Sequence, residues 1–465
     1  MLELNLNLGG DQPLYLQIYA SIAAQIRAAQ LAPGSRLPGK RSLASRLAVA
    51  VNTVDTAYQM LLAEGYLESR PRSGFFVLPY TDTLKQPAAA PQLPKQADAA
   101  PFRFDLSTGS VDTALFPFRT WGRIQKELLY TGGELLSHGH RSGDEDLRRA
   151  IAEYLRAYRG VECDNDQIVV GAGMEYLLGL VAQLLRGSTA AVENPGYARS
   201  RTILENCGVS CRCVGIDENG LAMEELEESG ADLCYVTPSH HFPTGVTMPV
   251  GRRAQLLQWA GRKAGRYILE DDYDAEFRFD MRPLPSLQGM GGRNGPVIYL
   301  CTFSKSLAPG IRIACMVLPT ELLPRWRERF GAYASTVSRF EQQTLRRFIE
   351  DGYFTRHLAR MRKIYKGRME MLCAALEERF GKERLLLRGR HTGLHLLLTL
   401  RSAPGEGEMV RAAATESVRL RGLSEYYMEQ IENCPPNTVV LGYASVADRE
   451  IPALVDALER AWSGL

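Results

Sequence analysis

Residues 267–274 constrain the fold more than any other segment of the chain. They begin with the apolar run Tyr-Ile-Leu and end in the carboxylate-rich series Glu-Asp-Asp-Tyr-Asp. An apolar run of this kind is typical of a buried parallel strand, and open α/β sheets place their ligands at the carboxyl ends of such strands. The sequence therefore predicts an α/β sheet with a polar site at the end of this strand.

A second segment, residues 301–314, supplies a candidate for covalent chemistry. Its single lysine, Lys305, stands among small and hydroxyl residues, and Arg312 follows seven positions later. A lysine amine can form a Schiff base with pyridoxal phosphate, while Thr302, Ser304 and Arg312 supply donors for a phosphate dianion. A Ser-Lys pair alone usually marks a surface lysine, so Lys305 becomes a candidate only together with the acidic strand end.

The acidic strand end and an earlier glycine turn fit the rest of that cofactor. A carboxylate against the pyridine nitrogen keeps the nitrogen protonated, and a phenol beside the ring hydroxyl tunes the linkage. Asp271 and Tyr273 suit these two roles. Residues 168–178 run from a β-branched strand through glycines into a helical pattern, so that backbone N–H groups at the helix start can hold a phosphate.

Five motifs in order along the chain resemble those of a fold-type I aminotransferase. They are Gly-Ala-Gly-Met-Glu at 171–175, Glu-Asn-Pro-Gly-Tyr at 193–197, Thr-Pro-Ser-His-His-Phe-Pro-Thr-Gly at 237–245, Glu-Asp-Asp-Tyr-Asp at 270–274 and Thr-Phe-Ser-Lys at 302–305. More specifically, the chain resembles the MocR/GabR subfamily of GntR-type bacterial regulators over nearly its whole length. The resemblance implies an α/β protein in which an N-terminal winged helix-turn-helix precedes the large and small domains of a PLP-dependent, aminotransferase-like fold.

The resemblance also assigns roles to individual residues. It makes Tyr197 a ring-stacking residue and Arg199 an anchor for the carboxylate of an effector. The residues expected to bind the cofactor are then Gly173, Met174, Glu175, Tyr197, Asp271, Tyr273, Thr302, Ser304, Lys305 and Arg312. No metal site is expected, because the nine cysteines are irregularly spaced and fit buried thiols better than metal ligands or disulfides.

The amino-terminal part carries the pattern of a small helical domain. Leu14, Ile18, Ile22 and Ile26 form one helical stripe, and two shorter helices follow, for which Ser42 and Asn52 are predicted caps. Residues 65–78 then predict a two-stranded wing with a basic tip.

Residues 37–44 and 52–67 match the GntR pattern closely. This resemblance implies DNA contacts by Arg41, Asn52, Thr53, Arg70 and Ser73. The run Ala-Val-Ala-Val at 48–51 departs from it, because family members often carry a hydroxyl residue and an arginine there. The set of bases that the helix contacts directly is therefore expected to be smaller or shifted along the DNA. A formal charge of only +2 argues against a chain covered in nucleic-acid-binding surface.

Composition divides the chain into three parts. Residues 79–101 are rich in proline and alanine and predict a flexible linker between a DNA-binding domain at 1–78 and the aminotransferase-like domain at 102–465. That domain is expected to hold the cofactor and effector and to form the dimer. The start of the chain lacks a basic region followed by a long apolar stretch, and no run approaches membrane-spanning length, so we expect no membrane partner and a cytoplasmic location.

Three positions depart from common aminotransferases. Phe242 stands where they carry an asparagine near the cofactor, and Val440 stands where they carry an arginine for the substrate carboxylate. His138 replaces a tyrosine that in many relatives reaches across the subunit boundary. Valine cannot form a bidentate ion pair, so the orientation of an amino acid in this site is expected to be poorly fixed.

Three functions fit these features. The favoured one is a regulator that binds operator DNA and, through pyridoxal phosphate on Lys305, senses an amine, an amino acid or pyridoxal phosphate itself, as a head-to-tail homodimer. The alternative is a working aminotransferase with a fused DNA-binding head; turnover is not expected to be the main role. A scaffold that has lost its cofactor is disfavoured, because Lys305, Asp271, Tyr273 and Arg312 are all present.

Overall fold

Two structural units, residues 1–99 and 100–465, make up the computed structural model of the chain. The residues described are 4, 7, 12–80, 102–280, 284–401 and 405–464. Apart from Pro79 and Tyr80, the predicted linker lies outside them. Within these residues, no helix combines the length and the apolar character needed to cross a bilayer.

The first unit consists of three helices and a small antiparallel sheet. Its elements are α1 (Leu14–Arg27), β1 (Arg36–Leu37), α2 (Lys40–Leu47), α3 (Val51–Ala63), β2 (Leu67–Arg70) and β3 (Gly74–Val77). β3 lies between β1 and β2, and the β2–β3 hairpin is the predicted wing. Ile18 and Ile22 of α1 pack with Val54 and Leu61 of α3 in a buried core that also holds Ile26, which confirms the predicted stripe except at the half-buried Leu14.

The predicted caps of the second and third helices are wrong. α2 begins at Lys40 after an extended Gly39, and α3 begins at Val51 after an extended Ala50. Neither of these N-cap residues makes a side-chain capping hydrogen bond. The two helices therefore start before Ser42 and Asn52, which lie in their first turns. As a result, Asn52 is an exposed residue within the first turn of α3 and does not cap the start of the helix.

The second unit begins with the short strand β4, followed by the strands of a large sheet and the helices between them. In chain order they are β4 (Phe104–Asp105), α4 (Phe118–Thr131), α5 (Glu145–Arg159), β5 (Ile168–Gly171), α6 (Met174–Leu184), β6 (Thr189–Asn194), α7 (Ala198–Asn206), β7 (Ser210–Asp217), β8 (Gly220–Leu221), α8 (Met223–Glu228), β9 (Leu233–Val236), α9 (Val250–Gly261), β10 (Tyr267–Asp272), α10 (Leu287–Gly291), β11 (Val297–Thr302), β12 (Ala314–Val317) and α11 (Leu323–Phe330). The sheet order is β5-β12-β11-β10-β9-β6-β7-β8. β10 runs parallel to both of its neighbours and is buried along its whole length, as the sequence predicts.

A smaller antiparallel sheet lies toward the carboxyl end. The remaining elements are α12 (Arg339–Glu350), α13 (Tyr353–Phe380), β13 (Leu385–Arg388), β14 (His395–Leu400), α14 (Glu406–Thr415), β15 (Val418–Arg419), β16 (Arg421–Gly422), β17 (Thr438–Gly442) and α15 (Ile451–Trp462). The sheet order is β13-β14-β17-β16, with β14 paired to both β13 and β17. β15 pairs with β4, which ties the start of this unit to its carboxyl part.

One cysteine pair contradicts the expectation of free thiols. Cys301 and Cys315 face each other across the antiparallel strands β11 and β12, with 5.4 Å between their Cα atoms, and they form a disulfide. Their partnership depends on the register between two strands, and spacing along the sequence does not reveal that register. The other seven cysteines are free thiols.

A buried ion pair fastens α5 to the carboxyl end of β10. Arg159 Nε donates to Asp272 Oδ2 at 2.7 Å, and Arg159 Nη2 donates to the hydroxyl of Ser239 at 2.8 Å. The Tyr299 hydroxyl donates to the same carboxylate oxygen. Burial alone would raise the pKa of Asp272, but the charge of Arg159 and these hydrogen bonds outweigh it and the pKa is lowered.

Replacing Arg159 should therefore destabilise the large unit strongly. We expect Arg159→Met to reduce the free energy of unfolding by about 3–5 kcal/mol, because Asp272 would remain buried without its counter-charge. Arg149 lies on the same helix in an exposed pair with Asp146, so Arg149→Met should cost at most about 1 kcal/mol. Urea unfolding of the full chain, followed by circular dichroism, measures both; equal losses would contradict the role assigned to Arg159.

Candidate functional site

A cavity of about 290 Å³ opens at the carboxyl ends of the central strands. It is lined by Thr108, Gly109, Met174, Glu175, Tyr197, Arg199, Thr237, Phe242, Asp271, Tyr273, Thr302, Ser304, Lys305, Pro309 and Arg312. Nine of the ten residues predicted to bind the cofactor are in this set, together with the predicted effector anchor Arg199. The tenth, Gly173, lies against the guanidinium of Arg312.

Lys305 follows the end of β11, and its amino group is enclosed by protein atoms. Nζ donates a hydrogen bond to the backbone carbonyl of Thr108. Burial lowers the pKa of Lys305 to about 8, although the negative charge of Asp274 opposes the shift. The neutral form of this amine is therefore far more populated near physiological pH than that of an ordinary lysine, and the neutral amine is the nucleophile.

Asp271 presents a free carboxylate oxygen at the cavity. Its Oδ2 accepts a hydrogen bond from the Tyr235 hydroxyl, whereas its Oδ1 is buried without a partner among the described residues. Burial raises the pKa of Asp271 to about 7, against the hydrogen bond from Tyr235. An unpartnered, buried carboxylate oxygen fits a protonated pyridine nitrogen, so these residues suit pyridoxal phosphate.

The opposite end of the cavity is built for an anion. Gly173 precedes α6 with φ of +99°, and a Cβ there would lie 2.6 Å from Arg312 Nη2, so this close approach requires glycine. Arg312 donates to the carbonyl of Ala172 at 3.2 Å, and the hydroxyl of Thr302 donates to that of Ser304 at 2.9 Å. The first-turn N–H groups of α6 add donors that the helix itself does not use.

Two arginines converge on Glu175 beside this anion end. Arg199 Nη1 donates to Glu175 Oε1 at 2.9 Å, and Arg312 Nη2 lies 3.6 Å from Glu175 Oε2. The Arg199 side chain is 70% exposed, so this pair is readily rearranged. Arg199 can therefore exchange Glu175 for the anionic group of a ligand.

Some groups at the cavity were not found from the sequence. The carbonyl of Thr108 leaves no signal, because any residue type provides one. Tyr235 precedes the Thr-Pro motif by two residues on β9, and only the parallel register of β9 and β10 brings its hydroxyl to Asp271.

Two of the three predicted departures from aminotransferases, Val440 and Phe242, share an apolar wall. Val440 lies on β17, is 1% exposed, and packs with Leu397, Leu423 and Tyr426. Phe242, which lines the cavity, is packed against this cluster. This side of the site therefore presents apolar side chains where aminotransferases carry the arginine that binds the substrate carboxylate.

The residues predicted to contact DNA lie on two parts of the first unit. Arg41, Asn52 and Thr53 are on the first turns of α2 and α3, and Arg70 and Ser73 flank the wing turn. Thr53 is half-buried, whereas the other four are exposed. Arg70 is paired with Glu68 and lies 4.4 Å from the ring centroid of Phe76, which fixes its position on the wing.

Both units match known families. Residues 14–77 match the family described as bacterial regulatory proteins, gntR family, and residues 104–458 match aminotransferase class I and II. The chain is 38% identical over 458 residues to the uncharacterized HTH-type transcriptional regulator YdeL of Bacillus subtilis (strain 168), covering 97% of each protein. It is 33% identical over 473 residues to the probable rhizopine catabolism regulatory protein MocR of Rhizobium meliloti, covering 98% of this chain and 95% of that protein. The chain belongs to the MocR/GabR subfamily of GntR-type regulators.

Solved structures agree with this membership. The kynurenine aminotransferase of Pyrococcus horikoshii in complex with PMP aligns with a TM-score of 0.67 at 25% identity, over 79% of this chain and 92% of that one. The multiple substrate aminotransferase of Thermococcus profundus aligns with a TM-score of 0.69 at 24% identity, over 83% and 97%. The predicted fold is confirmed, and the aminotransferase-like domain of this MocR/GabR protein is a pyridoxal phosphate domain.

The low pKa of Lys305 predicts how the cofactor attaches. We expect the rate of pyridoxal phosphate incorporation to rise as the pH increases through about 8, not near the ordinary lysine value of 10.5, because the neutral amine reacts. Visible absorption of cofactor-free protein measures this rate. Lys305→Ala should abolish incorporation, whereas Lys366→Ala, which removes an exposed lysine paired with Asp280, should not change it. A borohydride-fixed label on another residue would contradict the assignment of Lys305.

The position of Arg41 predicts a salt-dependent contribution to DNA binding. Removing one phosphate contact should weaken the binding of a random-sequence duplex and reduce the slope of log K against log salt by about 1. Arg41→Ala should do this, whereas Arg27→Ala on α1 should leave the slope unchanged, because Arg27 bonds its own helix at Ala23. Fluorescence anisotropy over a salt series measures the slopes. An unchanged slope for Arg41→Ala would show that Arg41 makes no phosphate contact.

Proposed function

We propose that the chain is a transcription regulator whose operator binding responds to a ligand at the pyridoxal phosphate site, either an amine or pyridoxal phosphate itself. One observation carries the proposal: the cavity gathers Lys305, Asp271 and the phosphate-binding Arg312, but Val440, at the position of the aminotransferase carboxylate clamp, lies in an apolar cluster. The names of relatives also describe regulatory proteins. The relative in Corynebacterium glutamicum, 30% identical over 398 residues, is a pyridoxine biosynthesis transcriptional regulator.

The residues of the cavity divide the task of holding the cofactor. When bound, pyridoxal phosphate supplies an aldehyde carbon to which a primary amine can attach reversibly. Asp271 would hold the proton of the ring nitrogen, and Arg312, Thr302 and Ser304 would hold the phosphate. Lys305 would be the amine bonded to the aldehyde carbon, and its lowered pKa leaves it less strongly protonated than an ordinary lysine.

The charges of the cavity narrow the class of ligand. Of the described residues lining it, the cationic ones are Lys305, Arg312 and Arg199. Because Lys305 and Arg312 serve the cofactor, Arg199 is left to meet an anionic group, and it is mostly exposed and paired with Glu175. The site therefore gives an α-carboxylate little binding energy and favours amines with an apolar body, which can pack on Phe242, the cavity-lining ring that Tyr426 supports from behind.

The DNA-binding response requires two heads. We propose a head-to-tail homodimer through the aminotransferase-like domain, acting in the cytoplasm, with residues 79–101 as the linker to each winged helix and with DNA contacts by Arg41, Asn52, Thr53, Arg70 and Ser73. A bias of about 1.4 kcal/mol between two arrangements of the heads changes operator occupancy about tenfold. One change of ligand at Lys305 is sufficient for such a bias.

A second candidate function is a working aminotransferase. The complete set of Lys305, Asp271, Tyr273 and Arg312 in one cavity favours it. The apolar wall argues against it, because transamination requires the Cα–H bond of the substrate to be held over the lysine.

A spectroscopic titration tests the proposal. We expect propylamine to shift the visible band of the cofactor-loaded protein at a concentration within about tenfold of that needed for 2-aminobutyrate, the same chain with a carboxylate, because a bidentate clamp worth about 1.5–3 kcal/mol is missing. No keto acid should accumulate, and Lys305→Ala should lose the response. A preference for 2-aminobutyrate beyond 100-fold, or steady keto-acid release, would favour the aminotransferase instead.

A further inference from the structure

Behind the cavity wall, three polar side chains from two segments of the chain form a hydrogen-bonded chain. His240 Nδ1 lies 2.9 Å from Asp274 Oδ2 and 3.0 Å from the hydroxyl oxygen of Tyr273. The Tyr273 hydroxyl is also 3.1 Å from the backbone carbonyl of His240. His240 and Asp274 are 1% and 2% exposed, and neither lines the cavity; Tyr273 alone reaches it.

The contacts determine where the imidazole proton lies. A carboxylate beside Nδ1 places the proton on Nδ1, so that Nε2 carries a lone pair. Nε2 is buried without a partner among the described residues, so the contacts that orient the ring are those at Nδ1. The Nδ1–H group can then be shared between the Asp274 carboxylate and the Tyr273 oxygen.

This arrangement makes Tyr273 a donor toward the cavity. When its oxygen accepts from His240 Nδ1–H, its own hydroxyl proton is available for another acceptor and is donated more strongly, because hydrogen bonds in a chain polarise one another. The backbone carbonyl of His240 takes that proton in the present structure.

Neighbouring groups fix the imidazole in place. A Cβ at Gly393 would overlap the His240 ring, so glycine permits this close packing at φ of +73°. The ring of His395, on β14 of the smaller sheet, lies with its centroid 4.4 Å from that of His240. His395 Nε2 bonds the carbonyl of Pro243, and burial lowers the pKa of His395 well below its usual value, so it stays neutral.

We propose that His240 and Asp274 are positioning residues that orient the Tyr273 hydroxyl toward the ring oxygen of the cofactor and strengthen the hydrogen bond it donates there. The inference rests on the cofactor site described above. Failure of pyridoxal phosphate to bind would contradict that site, whereas the behaviour of the bound chromophore tests these two residues. The titratable groups facing Tyr273 and Lys305 are Glu193, Asp271, Asp272, Asp274, His240 and His395.

The pKa of the cofactor linkage tests the proposal, because loss of the hydrogen-bond donor and loss of a nearby negative charge shift this pKa in opposite directions. A donor to the ring oxygen stabilises its anion, so losing that donor makes the linkage hold its proton more tightly. We expect Tyr273→Phe to raise the pKa of the visible chromophore most, and Asp274→Asn and His240→Asn to raise it by about 0.5 to 1 unit each. A purely through-space effect of Asp274 predicts the reverse, because removing a negative charge disfavours the protonated form.

Three comparisons separate these explanations. Combining Asp274→Asn with Tyr273→Phe should raise the pKa no further than Tyr273→Phe alone, because both changes act through one hydroxyl. Asp280→Asn and His391→Asn, which break an exposed His–Asp pair with 3.4 Å between Nδ1 and Oδ2, should leave the pKa unchanged. A fall in pKa for Asp274→Asn, or additivity in the double variant, would overturn the proposal.

A measurement on cofactor-free protein addresses the alternative of a metal site. His240, Asp274 and His395 bring possible ligand atoms within 4.8 Å of one another. With ¹⁵N-labelled histidine, we expect a hydrogen-bonded Nδ1–H resonance of His240 that disappears in Asp274→Asn. Stoichiometric metal in the purified protein, lost in the His240→Asn and Asp274→Asn variants, would replace the hydrogen-bonded chain with a metal centre.

Discussion

The structure depends on how three adjacent carboxylates are accommodated at the buried end of β10. Side chains of a strand alternate between the faces of a sheet, so Glu270 and Asp272 lie on one face and Asp271 on the other. Glu270 accepts from the backbone N–H groups of Leu287 and Gln288, and Asp272 is held by Arg159. Glu270 and Asp272 thus have hydrogen-bond partners from helices on one face of the sheet. On the other face, Asp271 is buried with one carboxylate oxygen free for a ligand. The same segment therefore fastens the sheet to its helices and builds the floor of the cavity.

Much of this arrangement is predictable from sequence, because local signals coincide with chemistry. The apolar run ending in acids places Asp271 and Tyr273 at the end of β10, and the glycine turn and the Thr-Phe-Ser-Lys motif place Gly173 and Lys305 after β5 and β11 of the same sheet. Parallel strands bring these ends to one edge of the sheet, so motifs about 130 residues apart along the chain meet in one cavity.

The features that the sequence did not predict depend on the register between paired strands and on the positions of backbone carbonyl groups. The disulfide between Cys301 and Cys315 follows from the antiparallel pairing of β12 with β11, in a sheet whose other central strands are parallel. The Thr108 carbonyl at Lys305 lies nearly 200 residues away in sequence. The helix starts at Lys40 and Val51 were misplaced because extended Gly39 and Ala50 begin these helices without a capping side chain.

The apolar wall around Val440 distinguishes a sensor from a catalyst on physical grounds. A catalyst must hold its substrate in one orientation, and a carboxylate clamp supplies much of that constraint. A sensor requires only that its ligand bind one conformation of the protein more tightly than another. Under the proposed function, the cavity serves the second requirement, with Lys305 as the exchangeable amine and with Arg199 and Glu175 as an exposed pair that a ligand would rearrange. Loss of the clamp therefore weakens turnover while leaving intact the reversible chemistry on which detection relies.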